Sequence, residues 1–268
     1  MKRKTHTVIQ PTSIPIAVLA LAVVSVPAAG ALVHQYTFEG GTADDTIGGL
    51  NPSVVNGVGF DAADFVQGGF SAVFDGDEYI EFASASPAFA GTTFSVAMWV
   101  KPEAVGIGTL LANKPGGDDT DGFALLFTNN ADLLNVTGNG STHATAGTGT
   151  GLLLKNAWQH VAYTIDVTNA AAPTCRIYLD GVDRTDADTI LSDFGRGAPW
   201  RLGMLTDGGA GLDGRLDDLR IYDEVLSEET VQFLANNPNG VIPEPVTTIG
   251  MLLGGAALTA YSRRRRKA

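Results

Sequence analysis

DGRLDDLRIYDEVLS, residues 213–227, is the stretch on which the reading of this chain turns. Across residues 216–222 a period of two sets Leu219 and Ile221 on one face and Asp218, Arg220 and Tyr222 on the other, the pattern of a half-buried strand. Strict alternation also puts Asp217 on the side of Leu219 and Ile221, where a bare carboxylate is costly. That residue therefore calls for a cation, an arginine or a bulge. Beyond Tyr222 the pattern changes. Ser227 can cap a short helix, Glu228 and Glu229 suit its positive first turn, Val231, Phe233 and Leu234 give it an apolar side, and Pro238 marks its end.

Working outward, the same period of two recurs in short runs. LVHQYTFEGG from Leu32 sets Leu32, His34, Tyr36 and Phe38 on one face, with Glu39 at its end, and leads into a loop carrying Asp44 and Asp45. AVFDGDEYIEF, residues 72–82, reads as two strands about Asp75-Gly76. FSVAMWV, residues 94–100, sets Phe94, Val96 and Met98 against Trp99. Residues 110–114 and 122–127 pair across the loop KPGGDDTDG; WQHVAYTID (158–166), 175–179 with its Asp180-Gly181 turn, and 200–203 follow. Residues 137–151, nearly all small or polar, read as turns with weak edge strands. Many short strands, Gly and Asp turns and a single late helix predict an all-β, two-sheet antiparallel sandwich.

Composition agrees. Of 268 residues 44% are hydrophobic and 33 are glycine, enough for a core with frequent turns. Residues 32–242 hold nine Lys or Arg against 28 Asp or Glu, so nucleic acid is not an expected partner. Cys175 is the only cysteine and excludes an intramolecular disulfide; it reads as a buried small side chain.

The two ends read as addresses. Lys2, Arg3 and Lys4 precede an apolar run from Ile14 to Val26, and Ala29-Gly30-Ala31 supplies small residues for cleavage, so residues 1–31 are expected to be a signal peptide, with an uncleaved anchor as the alternative. At the other end Pro243-Glu244-Pro245 precedes a weakly polar to apolar run over residues 246–261 and the basic cluster Arg263 to Lys267. Residues 239–268 resemble the PEP-CTERM sorting signal of Gram-negative bacteria. The resemblance implies an exosortase-type processing protease as partner, transient anchoring by a transmembrane helix and display at the cell surface. A permanent single span is the alternative.

FDGDEYIEF, FSVAMWVKP, WQHVAYTID, RIYLDGV, RLG and LDGRLDDLRIYDEVLSEE, in that order, resemble the LamG-like, concanavalin A-type jelly roll over residues 32–238. That resemblance implies that the first strand lies beside the DDLRIYD strand and closes the domain. If so, Glu39, Asp44, Asp45, Asp217 and Asp218 come together, an oxygen-rich set suited to Ca2+. Related domains hold a structural calcium at this junction, and Glu39, Asp44 and Asp217 match it best; solvated acidic loops are the alternative.

Polysaccharide or glycan binding is the function the resemblance implies. Trp200 is the expected aromatic platform, with Asn113, Asn129 and Asn130 as polar neighbours, against a reading of Trp200 as packing. Trp99 and Trp158 match core positions of the family. A structural matrix or adhesion role with a surface protein as partner is the alternative. A glycoside hydrolase is a third reading and is not expected, because Asp77, Tyr79 and Glu81 interrupt a carboxylate pair with an aromatic. His34, His143 and His160 are scattered, without a triad or metal-protease spacing.

Overall fold

A computed structural model describes residues 31–240, apart from Val105 and Ala198. The expected signal peptide, Pro243-Glu244-Pro245 and the apolar run 246–261 lie outside the described residues. Among those described, no helix is long and apolar enough to cross a membrane.

In chain order the described strands are β1 (Leu32–Tyr36), β2 (Val54–Asn56), β3 (Gly59–Asp61), β4 (Ser71–Asp75), β5 (Tyr79–Phe82), β6 (Thr93–Pro102), β7 (Gly108–Ala112) and β8 (Gly122–Phe127). Then come β9 (Leu133–Gly138), β10 (His143–Thr148), β11 (Gln159–Asp166), β12 (Thr174–Leu179), β13 (Val182–Asp183), β14 (Thr185–Ala187), β15 (Trp200–Leu202) and β16 (Asp213–Tyr222). One α-helix among the described residues, α1 (Glu228–Asn236), follows, with Ser227 accepting from the Thr230 amide at its N-terminus.

The strands form two eight-stranded sheets. The first runs β13-β12-β11-β6-β16-β4-β3, with β1 added on β16; the second runs β14-β10-β9-β8-β7-β15-β5-β2. Every strand pairing is antiparallel, and the two sheets enclose one apolar core that includes Phe74, Phe82, Phe94, Phe123, Met98, Leu125, Tyr163, Ile177 and Trp200. The all-β sandwich read from the sequence is therefore present. Helix α1 lays Val231 and Leu234 over Ala97, Ala162, Tyr178 and Tyr222 on the outer face of the first sheet.

The strand β16 is the closing element. It pairs with β6 on one edge, and with β4 and then β1 on the other: Leu216 faces Ala72, and Tyr36 faces Leu219. The anomaly at Asp217 is resolved by a bulge. Asp217 pairs with Trp99 and Arg220 with Ala97, so Asp218 and Leu219 together stand opposite Met98. Asp218 takes φ 47°, a left-handed conformation rare for a residue with a side chain. This extra residue reverses the parity. Leu216, Leu219 and Ile221 all reach the core, while Asp217 and Arg220 are sent to the outer face.

Both ends of the described chain are held at this strand. The Asp223 amide donates to Ala31 O, and the Arg220 guanidinium donates to Gly240 O and Pro238 O.

The polar segment over residues 137–151 departs from the sequence reading. It carries β10 and the end of β9, paired residue for residue from His143 opposite Gly138 to Gly147 opposite Leu134, and β9 lies inside its sheet. Thr137 is buried and its hydroxyl is bonded to Ala144 O, so pairing supplies what side-chain hydrophobicity does not.

Candidate functional site

The acidic residues expected to converge do not form one cluster. Asp45 is saturated. Its Oδ1 accepts from the amides of Gln35, Ile47 and Gly48, and its Oδ2 accepts from the Leu50 amide at 2.8 Å and contacts His34 Nδ1 at 2.6 Å. Burial opposes its charge, yet the amides of Ile47, Leu50 and Gln35, with His34, hold the carboxyl below the ordinary range. Asp45 is thus a staple for the loop after β1. Asp44 is exposed beside it. Asp218 is also committed: Arg220 reaches it at 2.8 and 3.0 Å, and Gln35 Nε2 donates to it at 2.8 Å. These three are therefore removed from the ion site as drawn from the sequence, because each is turned to a different partner or to solvent.

Glu39 and Asp217 do meet, through a third element. Asp217 Oδ2 accepts from the amides of Val66 and Gln67 at 2.7 and 2.8 Å, and Glu39 Oε1 accepts from the Gly69 amide at 2.7 Å. Two carboxylates thus grip the turn Val66–Gly69 from either side. Gly68 has φ +66°, and a Cβ there would collide with the Glu39 carboxylate, so this close approach needs glycine.

Two oxygens at this junction have no partner. Asp217 Oδ1 and Gln67 Oε1 are buried and unbonded, and Asp217 as a whole is 0% exposed. Burial pushes the Asp217 carboxyl up to about 7, with the neighbouring Asp218 charge adding to the effect and the Val66 and Gln67 amides opposing it. Orphan buried acceptors cost stability unless something satisfies them, and a hard cation satisfies oxygen without a proton. Among the described residues no group of three or more His, Cys, Asp and Glu side chains is placed to share an ion. The oxygens gathered on the Val66–Gly69 turn are two carboxylates, Glu39 and Asp217, and the amide oxygen of Gln67.

The expected sugar platform is overturned by burial. Trp200 is 0% exposed, stacks on Phe82 with ring centroids 3.8 Å apart, and gives its Nε1 proton to Ser84 O. Its inward facing follows from its register opposite Phe82. The asparagines do not assemble around it. Asn113 is spent on Gly195 O, Gly197 O and the Phe123 amide, at the start of β8, while Asn129 and Asn130 are exposed in the turn beyond its other end.

The sequence model of the Concanavalin A-like lectin/glucanases superfamily matches residues 74–232, more than half of the chain. The chain belongs to this superfamily. Among solved structures it is similar to domain 4 of AbnA, a GH43 extracellular arabinanase from Geobacillus stearothermophilus, in complex with arabinotriose. That likeness has 20% identity and a TM-score of 0.60, covering 77% of this chain and 99% of that one. The botulinum neurotoxin type G receptor binding domain is 15% identical at a TM-score of 0.58, and the chain spans 51% of its length. A Trypanosoma rangeli sialidase is 16% identical at a TM-score of 0.54, with 33% of its length spanned. At such identities these likenesses establish a shared fold. No curated protein matches the chain in sequence.

Within this superfamily member, two tryptophans expected in the core lie elsewhere. Trp99 and Trp158 are only partly buried, on the outer face of the first sheet. The alternation that sends Val100 and Met98 inward sends Trp99 and Lys101 outward, a reading open to sequence inspection. Around them lies a charged network. Arg215 reaches Asp61, Glu103 and Asp64, and Lys101 pairs with Asp64. Trp158 Nε1 donates to Asp64 at 2.8 Å. The alternating set on β5 offers no paired carboxylates, since Glu81 Oε2 is clamped by Arg201 Nε and Nη2, each at 2.7 Å.

Proposed function

We propose that this protein is an exported, surface-sorted binding module that recognises extracellular polysaccharide and performs no chemistry. The observation that carries the reading is the likeness in fold between 77% of this chain and 99% of an arabinanase domain solved in complex with arabinotriose. Glu81 is the one carboxylate on β5 and is held by Arg201, which supports a non-catalytic role, because cleavage of a glycosidic bond calls for a pair of carboxylates.

In this reading the sequence 239–268 directs sorting: Pro243-Glu244-Pro245 is the recognition element for an exosortase-type protease, and residues 246–261 hold the chain in the membrane until cleavage. Calcium is the proposed structural ion. Glu39, Asp217 and Gln67 would hold it, and it would fix the Val66–Gly69 turn against β16.

The test is a pull-down of the purified protein on a panel of insoluble and immobilised polysaccharides, with calcium and with chelator. Retention on at least one polymer is expected. Retention on none, together with self-association or capture of surface proteins, replaces this reading with a matrix or adhesion role. Release of sugar from any polymer overturns the non-catalytic assignment. The mass of the protein recovered from the cell surface and medium reads both expected cleavage points.

A further inference from the structure

The outer face of the first sheet carries an arrangement that adjoins the calcium junction at Asp217 and extends beyond it. On it β16, β6 and β11 set Asp217, Trp99 and His160 in one row, and in the next row Arg215 opposite Lys101. Trp158 precedes His160 by two residues and joins that second row. The loop after β3 crosses these rows. Asp61, the last residue of β3, bonds Arg215; on the loop Asp64 bonds both Lys101 and the Trp158 indole, and Val66 is tied to Asp217.

Three features set this face apart from an ordinary ion-paired surface. The single polar atom of Trp158 is turned inward to Asp64, so the part of the ring left open is apolar. On the crossing loop, between Asp64 and Val66, Phe65 is 38% exposed, a large apolar side chain left open. The carboxylates of Asp61, Asp64 and Glu103 are each about a third open, at 30, 32 and 29% exposure, while the cations that fix them are more covered. Acceptors are therefore presented and donors withheld.

We propose that this face, with Trp158, Trp99 and Phe65 as stacking surfaces and Asp61, Asp64 and Glu103 as acceptors, is where an uncharged polysaccharide binds. A pyranose or furanose ring offers an apolar C–H face to an aromatic ring and a rim of hydroxyl donors to carboxylates. Lys101, Arg215 and the loop's own amides hold those carboxylates in place before any ligand arrives, which lowers the ordering cost of binding. Charge selects against polyanions. With nine Lys or Arg against 28 Asp or Glu over residues 32–242, and three open carboxylates on this face, a uronic acid polymer is repelled.

The inference rests on the polysaccharide-binding reading above, and the experiment separates the two. The full chain is run in affinity electrophoresis through arabinan, xylan, mixed-linkage glucan and galactomannan, and through alginate and polygalacturonate. It is accompanied by Phe65→Ala, Trp158→Ala, Trp158→Phe and the distant surface variant Val182→Ser. Retardation by at least one uncharged polymer is expected, with affinity falling at least tenfold in Phe65→Ala and Trp158→Ala, partly kept in Trp158→Phe and unchanged in Val182→Ser. Melting curves accompany each variant. If Trp158→Ala does not fold, the exposed-loop variant Phe65→Ala decides the matter. Wild-type affinity in Phe65→Ala and in every folded Trp158 variant overturns this face and leaves the binding reading standing. Binding to the anionic polymers alone overturns the ligand class. Binding to no polymer overturns the polysaccharide reading and this inference with it.

Discussion

Glu39 and Asp217, far apart in sequence, hold one turn between them, Glu39 through the Gly69 amide and Asp217 through the amides of Val66 and Gln67. The turn is thereby fixed to β16, and the unbonded Asp217 Oδ1 is left beside it. Calcium at a hundred times its Kd should raise the Tm by roughly 5–10 °C, read by differential scanning fluorimetry against chelator. In Asp217→Asn that increment should vanish. In chelator the variant should match the wild type within about 1 kcal/mol, because a buried charge has been removed. A full calcium increment in Asp217→Asn refutes the site.

Asp45→Asn separates loop architecture from ion binding. Asp45 accepts four backbone amides and meets His34, and an amide nitrogen in its place confronts donors with a donor. The expected loss is about 2–3 kcal/mol in urea unfolding, with the calcium increment retained.

Asp218 and Arg220 form a buried pair, and the same guanidinium also holds Pro238 O and Gly240 O. Asp218→Ala leaves that cation buried with carbonyls alone. Denaturant titration should report a loss of about 3–5 kcal/mol, and proteolysis should begin near residue 238. The double variant Asp218→Ala/Arg220→Met should recover part of the stability.

Trp200→Ala opens a cavity between Phe82, Tyr36 and Phe89. We expect a loss of about 3–5 kcal/mol, with any polysaccharide affinity unchanged in the fraction that remains folded. An exposed platform would give the opposite pair of results.

His160 is buried against Trp99, and burial, with the Arg220 charge, pushes its imidazole down to about 3. For a base lowered in the fold, the stabilisation by the neutral form is complete above its ordinary value near 6.5 and is lost as pH falls from there toward 3. Acid titration of stability should therefore steepen over that window, by on the order of 4 kcal/mol at its end. His160→Gln should remove this component while leaving the acid response of the carboxylates.

The sandwich was legible because β6 and β11 alternate over most of their length and β16 alternates on either side of its bulge. Asp217 was legible as an anomaly and its remedy as a choice among three. That the remedy is a bulge depends on the pairing of Met98 with two residues, which no local pattern encodes. Trp200 misled because a three-residue strand has too little alternation to assign a face, so its inward turn is set by Phe82 across the ladder. Residues 137–151 misled for the reverse reason: small polar side chains carry no period, yet β9 and β10 form a full ladder once β8 is in place. The face around Trp158 was missed because Asp61, Asp64, Lys101, Trp158 and Arg215 come from four separate stretches and are united only by the crossing loop.

The anchoring of Ala31 and Gly240 at the C-terminal end of β16, by the Asp223 amide just past the strand and the Arg220 side chain within it, has a mechanical consequence. A pull applied between those two points enters and leaves the domain at one end of β16, so the tension passes through the end of that strand and bypasses most of both sheets. The body of the domain hangs beside the line of force, like a pendant on a taut cord, and keeps its shape and its outer face while the chain on either side is under load.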